Sequence, residues 1–146
     1  MEAAQAKVKR SIRSFQDLEV YQEGFRLSME IFQLTQNFPR EELYALSTQM
    51  RNASRSIPAN IAEGWAKRRH ELVFKRHLLD AMGSSNEMLV WLETSFGCQY
   101  LSEDRHRELV DAYGVLSKRL HQLLSHWKPL GSQRVSSTLH LLPSTL

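Results

Sequence analysis

The run Ser56-Ile57-Pro58-Ala59-Asn60-Ile61-Ala62-Glu63-Gly64 reads as the interior of a helix although it holds a proline. Leu43, Leu46, Met50, Ala53, Ile57, Asn60 and Gly64 recur at steps of three and four, the spacing of one helical face. The spacing predicts a helix over 41–67. A proline inside it lacks the N–H that would bond the carbonyl of Ser54, so a kink is expected there. Asn60 falls on the apolar seam just past that point. Its expected task is to satisfy backbone groups loosened by Pro58.

Three more helical segments flank this one. Residues 17–37 carry Val20, Gly24, Leu27, Ile31, Leu34 and Phe38 on one seam. Leu18, Tyr21, Phe25, Ser28 and Phe32 run beside it. Ser14 and Asp17 have the spacing of a capping box, although Asp17 could itself be the cap, and Pro39 marks the stop. Residues 70–98 carry Leu78, Met82, Ser85, Leu89, Leu92 and Phe96, with Phe74, Ala81, Met88 and Trp91 alongside. Ala81, Gly83, Ser84 and Ser85 make the middle of that helix thin, so close approach of another helix is expected at Gly83; Gly97 is a candidate stop. Residues 102–127 begin with Ser102 as N-cap and the acids Glu103 and Asp104. Leu109, Tyr113, Leu116, Leu120, Leu123 and Trp127 follow as an unbroken seam.

Four helices with short connections favour an all-α, up-down-up-down antiparallel four-helix bundle with a Pro-kinked second helix. The double seams on the first and third helices imply either a second buried interface through self-association or one wide core face. The chain has 146 residues, which suits one domain at about 150 residues per domain. The expected organisation is a flexible basic arm at 1–13, the bundle at 14–128 and a flexible tail at 129–146. Six Gly, four Pro and a single Cys argue against a loop-rich β fold and against a disulfide-stapled scaffold. No apolar run approaches the ~20 residues of a membrane span, and residues 1–14 lack the apolar core of a secretory signal. A cytoplasmic protein with no membrane partner is expected.

The formal net charge is +3, but it is unevenly spread. Arg51, Arg55, Lys67, Arg68, Arg69, Lys75 and Arg76 face only Glu63 and Glu71 in the same stretch. A local basic region on an otherwise slightly acidic body points to a polyanion site, against the plainer reading of a solvated helix end. These seven residues are the candidate nucleic-acid contacts. Trp65 could stack on a base, but packing fits it better.

Catalytic patterns are weak. Cys98 stands without a paired histidine, and a di-metal bundle needs two Glu-x-x-His motifs where this chain has only Glu103 to His106. The glycines are scattered, so there is no phosphate-cradling loop. Arg134 and His140 are the only echo of an Arg/His ribonuclease pair and lie in the tail. Glu63 with Arg51 or His70 assembles no nucleophile, base and oxyanion donor. His70 and His77 flank the basic cluster and add charge at low pH. No catalytic residue, metal site or cofactor is expected.

The ordered motifs Ser14-Phe15-Gln16-Asp17-Leu18-Glu19-Val20-Tyr21-Gln22, Phe38-Pro39-Arg40-Glu41-Glu42, Arg51 and Ser56 to Gly64 carry a resemblance, and Phe74, Leu78, Ala81, Gly83, Ser84, Glu87 and Leu92 fit it too. Over residues 15–124 the chain resembles the bacterial four-helix-bundle protein family encoded in 23S rRNA intervening sequences. The Ser-Ile-Pro-x-Asn-Ile-Ala-Glu-Gly stretch is the specific part, and Pro58, Asn60, Glu63 and Gly64 are its motif positions. The resemblance implies an up-down bundle with a bent second helix and a homopentameric ring. Related accessory proteins of diversity-generating retroelements form pentameric barrels that bind nucleic acid and a reverse transcriptase. Two functional expectations follow. One is a non-catalytic homo-oligomeric protein that binds nucleic acid, structured RNA above all, by shape and backbone. The alternative is a protein–protein interaction scaffold or accessory subunit.

Overall fold

The computed structural model describes residues 11–127; most of the expected basic arm and the whole of the expected tail lie outside the described residues. A 3-10 turn, Phe15–Asp17, leads into α1, Glu19–Gln36. A second 3-10 turn, Arg40–Glu42, precedes α2, Leu46–Ala66. Helix α3 spans Glu71–Gly97 and α4 spans Glu103–His126. No strand occurs among the described residues.

Each helix packs on the next in sequence, and the closing contact between α1 and α4 is the loosest. The ends show the antiparallel order. Trp65 at the end of α2 lies edge-on to Trp127 after α4, with ring centroids 5.7 Å apart. Phe38 between α1 and α2 meets Tyr100 between α3 and α4 at 5.1 Å. At 1.5 Å per residue the helices are about 27–40 Å long. The core is a column of apolar side chains that includes Leu27, Ile31, Met50, Ile57, Ile61, Phe74, Leu78, Met88, Leu92, Tyr113 and Leu116.

The ends of the elements differ from the periodicity in instructive ways. The Asp17 carboxylate accepts from the backbone N–H groups of Arg13 (2.8 Å) and Ser14 (3.1 Å), so the Ser14/Asp17 pair closes the 3-10 turn rather than starting α1. Helix α2 begins at Leu46, and Leu43, expected on its seam, is exposed in the preceding turn. Ser102 caps α4 as its sequence suggests, accepting from Arg105 N–H at 3.1 Å. Helix α3 ends at Gly97 as expected, but the left-handed residue that closes it is Gln99, with φ 63°, and not the glycine. Tyr100 N–H bonds Ser95 O (2.8 Å) and Gln99 N–H bonds Phe96 O (2.9 Å), closing a Schellman motif.

The glycines also sort differently. A Cβ at Gly83 would touch nothing within 4 Å, so Gly83 faces open space and does not mediate helix contact. The close approaches are at Gly24 and Gly64. A Cβ at position 24 would lie 3.0 Å from Ile57 Cγ2 and 3.6 Å from Pro58 Cδ. One at position 64 would lie 2.7 Å from His77 Cβ. Pro58 is buried inside a helix that runs from Leu46 to Ala66, on the side that α1 approaches. The small residues of α3 still bring helices together: Ser85 Oγ bonds Tyr113 O (3.2 Å) and pairs with Ser117 Oγ (2.6 Å) on α4.

On α3 the buried face draws on both expected seams, while Met82, Leu89 and Trp91 are half-buried and Phe96 is exposed. Phe74, Leu78, Ala81, Ser85, Met88 and Leu92 are all buried between α2 and α4. On α1, by contrast, part of the second seam stays open: Phe25 is 50% exposed.

Tyr113 carries a liability. Its ring is wholly buried and its hydroxyl has no hydrogen-bond partner among the described residues. Burial, reinforced by Glu30, pushes its pKa above the ordinary tyrosine range, with Arg26 opposing. Below about pH 10 the phenol is neutral in both folded and unfolded chains. Above it the unfolded chain ionises first, so stability falls as pH rises. Tyr113→Phe is expected to gain about 1 kcal/mol at pH 8 by removing the unmet donor, and to flatten the loss between pH 8 and about 10.5. Urea unfolding of both proteins at the two pH values reads this out. A Phe variant with an unchanged or steeper alkaline loss contradicts it.

Candidate nucleic-acid interface

The basic residues that are neighbours in sequence are not one patch. Arg51 and Lys67 are separated by about 24 Å along α2 at 1.5 Å per residue. Arg51 and Arg55 lie on the α1 side, their guanidinium carbons 5.0 and 5.8 Å from the centre of the Phe32 ring. Lys67, Arg68, Arg69, Lys75 and Arg76 gather at the other end of the bundle, around the four-residue link between α2 and α3.

Within that second group the charges differ in availability. Lys67 Nζ pairs with Glu63 (3.1 Å) and Lys75 Nζ with Glu71 (2.9 Å). Arg68 lies over the Trp65 ring at 4.4 Å and donates from Nη1 to Trp65 O at 3.0 Å. Neither Arg68, Arg69 nor Arg76 has an ion-pair partner among the described residues. Trp65 packs edge-on against Phe74 and Trp127, so it supports the end of the core and holds Arg68 on its outer face.

Of the motif residues of α2, Ser56, Asn60, Glu63 and Gly64 face α3, while Pro58 faces α1. Ser56 Oγ lies 2.5 Å from Ser84 Oγ. Asn60 Nδ2 donates to Ser56 O (2.9 Å), and its Oδ1 faces His77 Nδ1 at 3.1 Å. Asn60 therefore binds a backbone carbonyl, but not that of Ser54, the one Pro58 deprives of a donor. Its amide spends its other side on the neighbouring helix. Glu63 extends this polar seam, 4.0 Å from His77 Nδ1. The hydrogen bond from Lys67, then the Lys67 charge and then His77, hold its carboxyl below the ordinary glutamate value. Gly64 leaves the room that His77 and Phe74 occupy. The motif thus builds the α2–α3 contact that places the basic end.

His77 and Ser84 were missed as partners of the motif. The signal was the spacing: Ser56, Asn60 and Glu63 share one stripe of α2, as His77 and Ser84 do on α3. Among the described residues, no cluster of three or more His, Cys, Asp or Glu side chains is arranged to hold a metal ion. None of the described helices is long and apolar enough to cross a membrane.

Comparison with known proteins places this geometry. The profile of a family described as 23S rRNA-intervening sequence protein matches residues 16–122. A crystal structure of a protein of unknown function from the S23 ribosomal protein family of Bacteroides thetaiotaomicron superposes with a TM-score of 0.66 at 22% identity. The match covers 72% of this chain and 94% of that one, and shows a shared fold. No curated protein matches the chain.

Proposed function

The chain belongs to the 23S rRNA-intervening sequence protein family, and from that premise we propose that it is a non-catalytic, self-associating bundle that binds nucleic acid, structured RNA in preference, in the cytoplasm. The observation that carries the reading is the set Arg68, Arg69 and Arg76, three guanidinium groups at one end of the bundle without carboxylate partners among the described residues. Arginines without carboxylate partners suit phosphate oxygens, and no element among the described residues is shaped to read base edges. Contact is therefore with the backbone and with shape. Glu63 supports a non-catalytic reading, because its carboxylate is engaged by Lys67 and stands far along α2 from Arg51.

Self-association is supported by two apolar surfaces. One is a groove between α1 and α2, lined by Tyr21, Phe25, Met29, Pro58, Ala59 and Ala62. The other is the outward stripe of α3, where Leu79 is 53% and Val90 56% exposed, on the side opposite the buried seam. Two different faces on one chain suit head-to-tail contact, which closes into a ring; five copies is the ring implied by the family resemblance. A ring repeats the arginine end and multiplies phosphate contacts. The same faces fit the second reading, a scaffold for a protein partner.

Two measurements test the proposal together. Sedimentation velocity is expected to give an oligomer that Leu79→Glu with Val90→Glu dissociates. Fluorescence anisotropy of nuclease-treated protein is expected to show micromolar or tighter binding of structured RNA at ~50 mM salt, weaker for duplex DNA. A monomer that binds neither polymer overturns the reading. An oligomer that recovers one stoichiometric protein after nuclease treatment, and binds no RNA, favours the scaffold.

A further inference from the structure

At the end of the bundle remote from Arg68 and Arg76, a cleft of about 440 Å³ opens between the last turn of α1 and the start of α2. Thr35, Gln36, Pro39, Arg40, Ser47 and Arg51 line it. Arg51 is held rather than mobile. Its guanidinium lies over the Phe32 ring, and its Nε donates to Thr35 Oγ1 at 2.9 Å. Thr35 is itself buried, with its hydroxyl donating to Ile31 O at 2.8 Å. Both terminal amino groups of Arg51 are left to bond something else. No carboxylate pairs with Arg51 or Arg40 among the described residues. Glu41 and Glu42 share the turn with Arg40 but do not line the cleft. They face Tyr100, whose pKa is raised by burial and then by Glu42.

The start of α2 adds further donors. Its N-cap is Ala45, which has no side chain to cap with, and its first turn holds no acid. The N–H groups of Leu46, Ser47 and Thr48 have no acceptor among the described residues, the first bond of the turn being Gln49 N–H to Ala45 O at 3.1 Å. The Thr48 hydroxyl is turned back to Leu43 O at 2.6 Å. Ser47 is different: it is 1% exposed, its hydroxyl forms no hydrogen bond among the described residues, and it lines the cleft. Its oxygen is not sealed from solvent, so it opens onto the cleft and is available to bond a ligand there.

We propose that this cleft binds a terminal phosphate group, either inorganic phosphate or the 5′-phosphate monoester at a nucleic-acid strand end. A carboxylate offers two oxygens and one charge. A phosphate monoester offers three oxygens and close to two charges, enough for Arg51, Arg40, the Ser47 hydroxyl and the α2 N-terminus at once. The site does not depend on the arginine end described above, since the two lie at opposite ends of the molecule.

Calorimetric titration of the full chain with inorganic phosphate, and anisotropy with one short single strand carrying either a 5′-phosphate or a 5′-hydroxyl, test it. Arg51→Gln is expected to weaken phosphate binding about tenfold or more. Because Arg51 also packs on Phe32, Arg40→Gln and Ser47→Ala serve as variants that leave that contact alone, and each is expected to weaken binding several-fold. Phosphate binding with no preference between the two strands identifies the free anion. A 5′-phosphate preference that Arg40→Gln removes identifies the strand end. The Arg68, Arg69 and Arg76 charge reversal is expected to leave phosphate binding and the ratio of the two strand affinities unchanged, even where it lowers both affinities. Absence of phosphate binding together with equal affinity for the two strands overturns the proposal, as does binding that neither Arg40→Gln nor Ser47→Ala alters.

Discussion

Reversal of three charges together, Arg68→Glu, Arg69→Glu and Arg76→Glu, is expected to cut the affinity for structured RNA about 100-fold at ~0.1 M salt while the bundle stays folded. Each arginine that neutralises one phosphate releases counterions and adds about 0.7–0.9 to the salt exponent. Three contacts correspond to about two orders of magnitude at ~0.1 M, and the introduced glutamates add repulsion. The cost to folding is small. Arg69 and Arg76 are exposed, and Arg68 loses one bond to Trp65 O and its place on the Trp65 ring, about 1–2 kcal/mol together. Far-UV circular dichroism with urea unfolding confirms the fold, and anisotropy gives the affinity. Unchanged affinity in a folded triple variant removes this end as the interface.

Gly64→Val is expected to cost about 3 kcal/mol and to lower the melting temperature by roughly 10–20 °C. The first added carbon would stand 2.7 Å from His77 Cβ and 3.1 Å from Phe74 Cδ2. Neither neighbour can yield easily. His77 Cβ is fixed to the α3 backbone, and Phe74 is wholly buried, its ring 4.6 Å from that of Trp127. Replacing glycine in a helix returns at most about 1 kcal/mol of propensity, too little to offset the clash. Gly83→Ala is the control. It meets open space, so the same propensity term should appear as a gain of about 0.5–1 kcal/mol. Thermal melts of the two variants distinguish the sites, and a stable Gly64→Val variant contradicts the close approach of α2 and α3.

The helices were legible in the sequence because each carries its own apolar stripe. Ser102 announces α4, and most of the seams from Val20, Leu46, Leu78 and Leu109 reappears in the core, although Phe96 at the end of the Leu78 seam is exposed. What the stripe of one helix does not carry is its register against the next. That is why Gly64 and Gly83 look alike in sequence although one touches α3 and the other solvent. It is also why the polar stripes of α2 and α3, each readable alone, did not reveal the Asn60–His77 contact, 17 positions apart in the chain. The arginines failed in another way. Closeness along the chain suggested a single patch, but a helix spreads sixteen residues over about 24 Å. Arg51 and Arg55 therefore went to Phe32, and only the residues around the α2–α3 link stayed together. The end of α3 at Gly97 was legible, but the left-handed residue that closes it was not, because it is Gln99 and not a glycine.

The most direct test of phosphate-backbone recognition at the arginine end is the salt dependence of RNA affinity, measured by anisotropy from ~50 to ~200 mM for the natural chain and for the triple reversal. The natural chain is predicted to show log affinity falling with log salt at a slope of about −2 or steeper, and the reversal to remove about 0.7–0.9 of a unit of slope per arginine. A slope near zero, or the same slope in both proteins, would contradict the assignment of nucleic-acid binding to Arg68, Arg69 and Arg76.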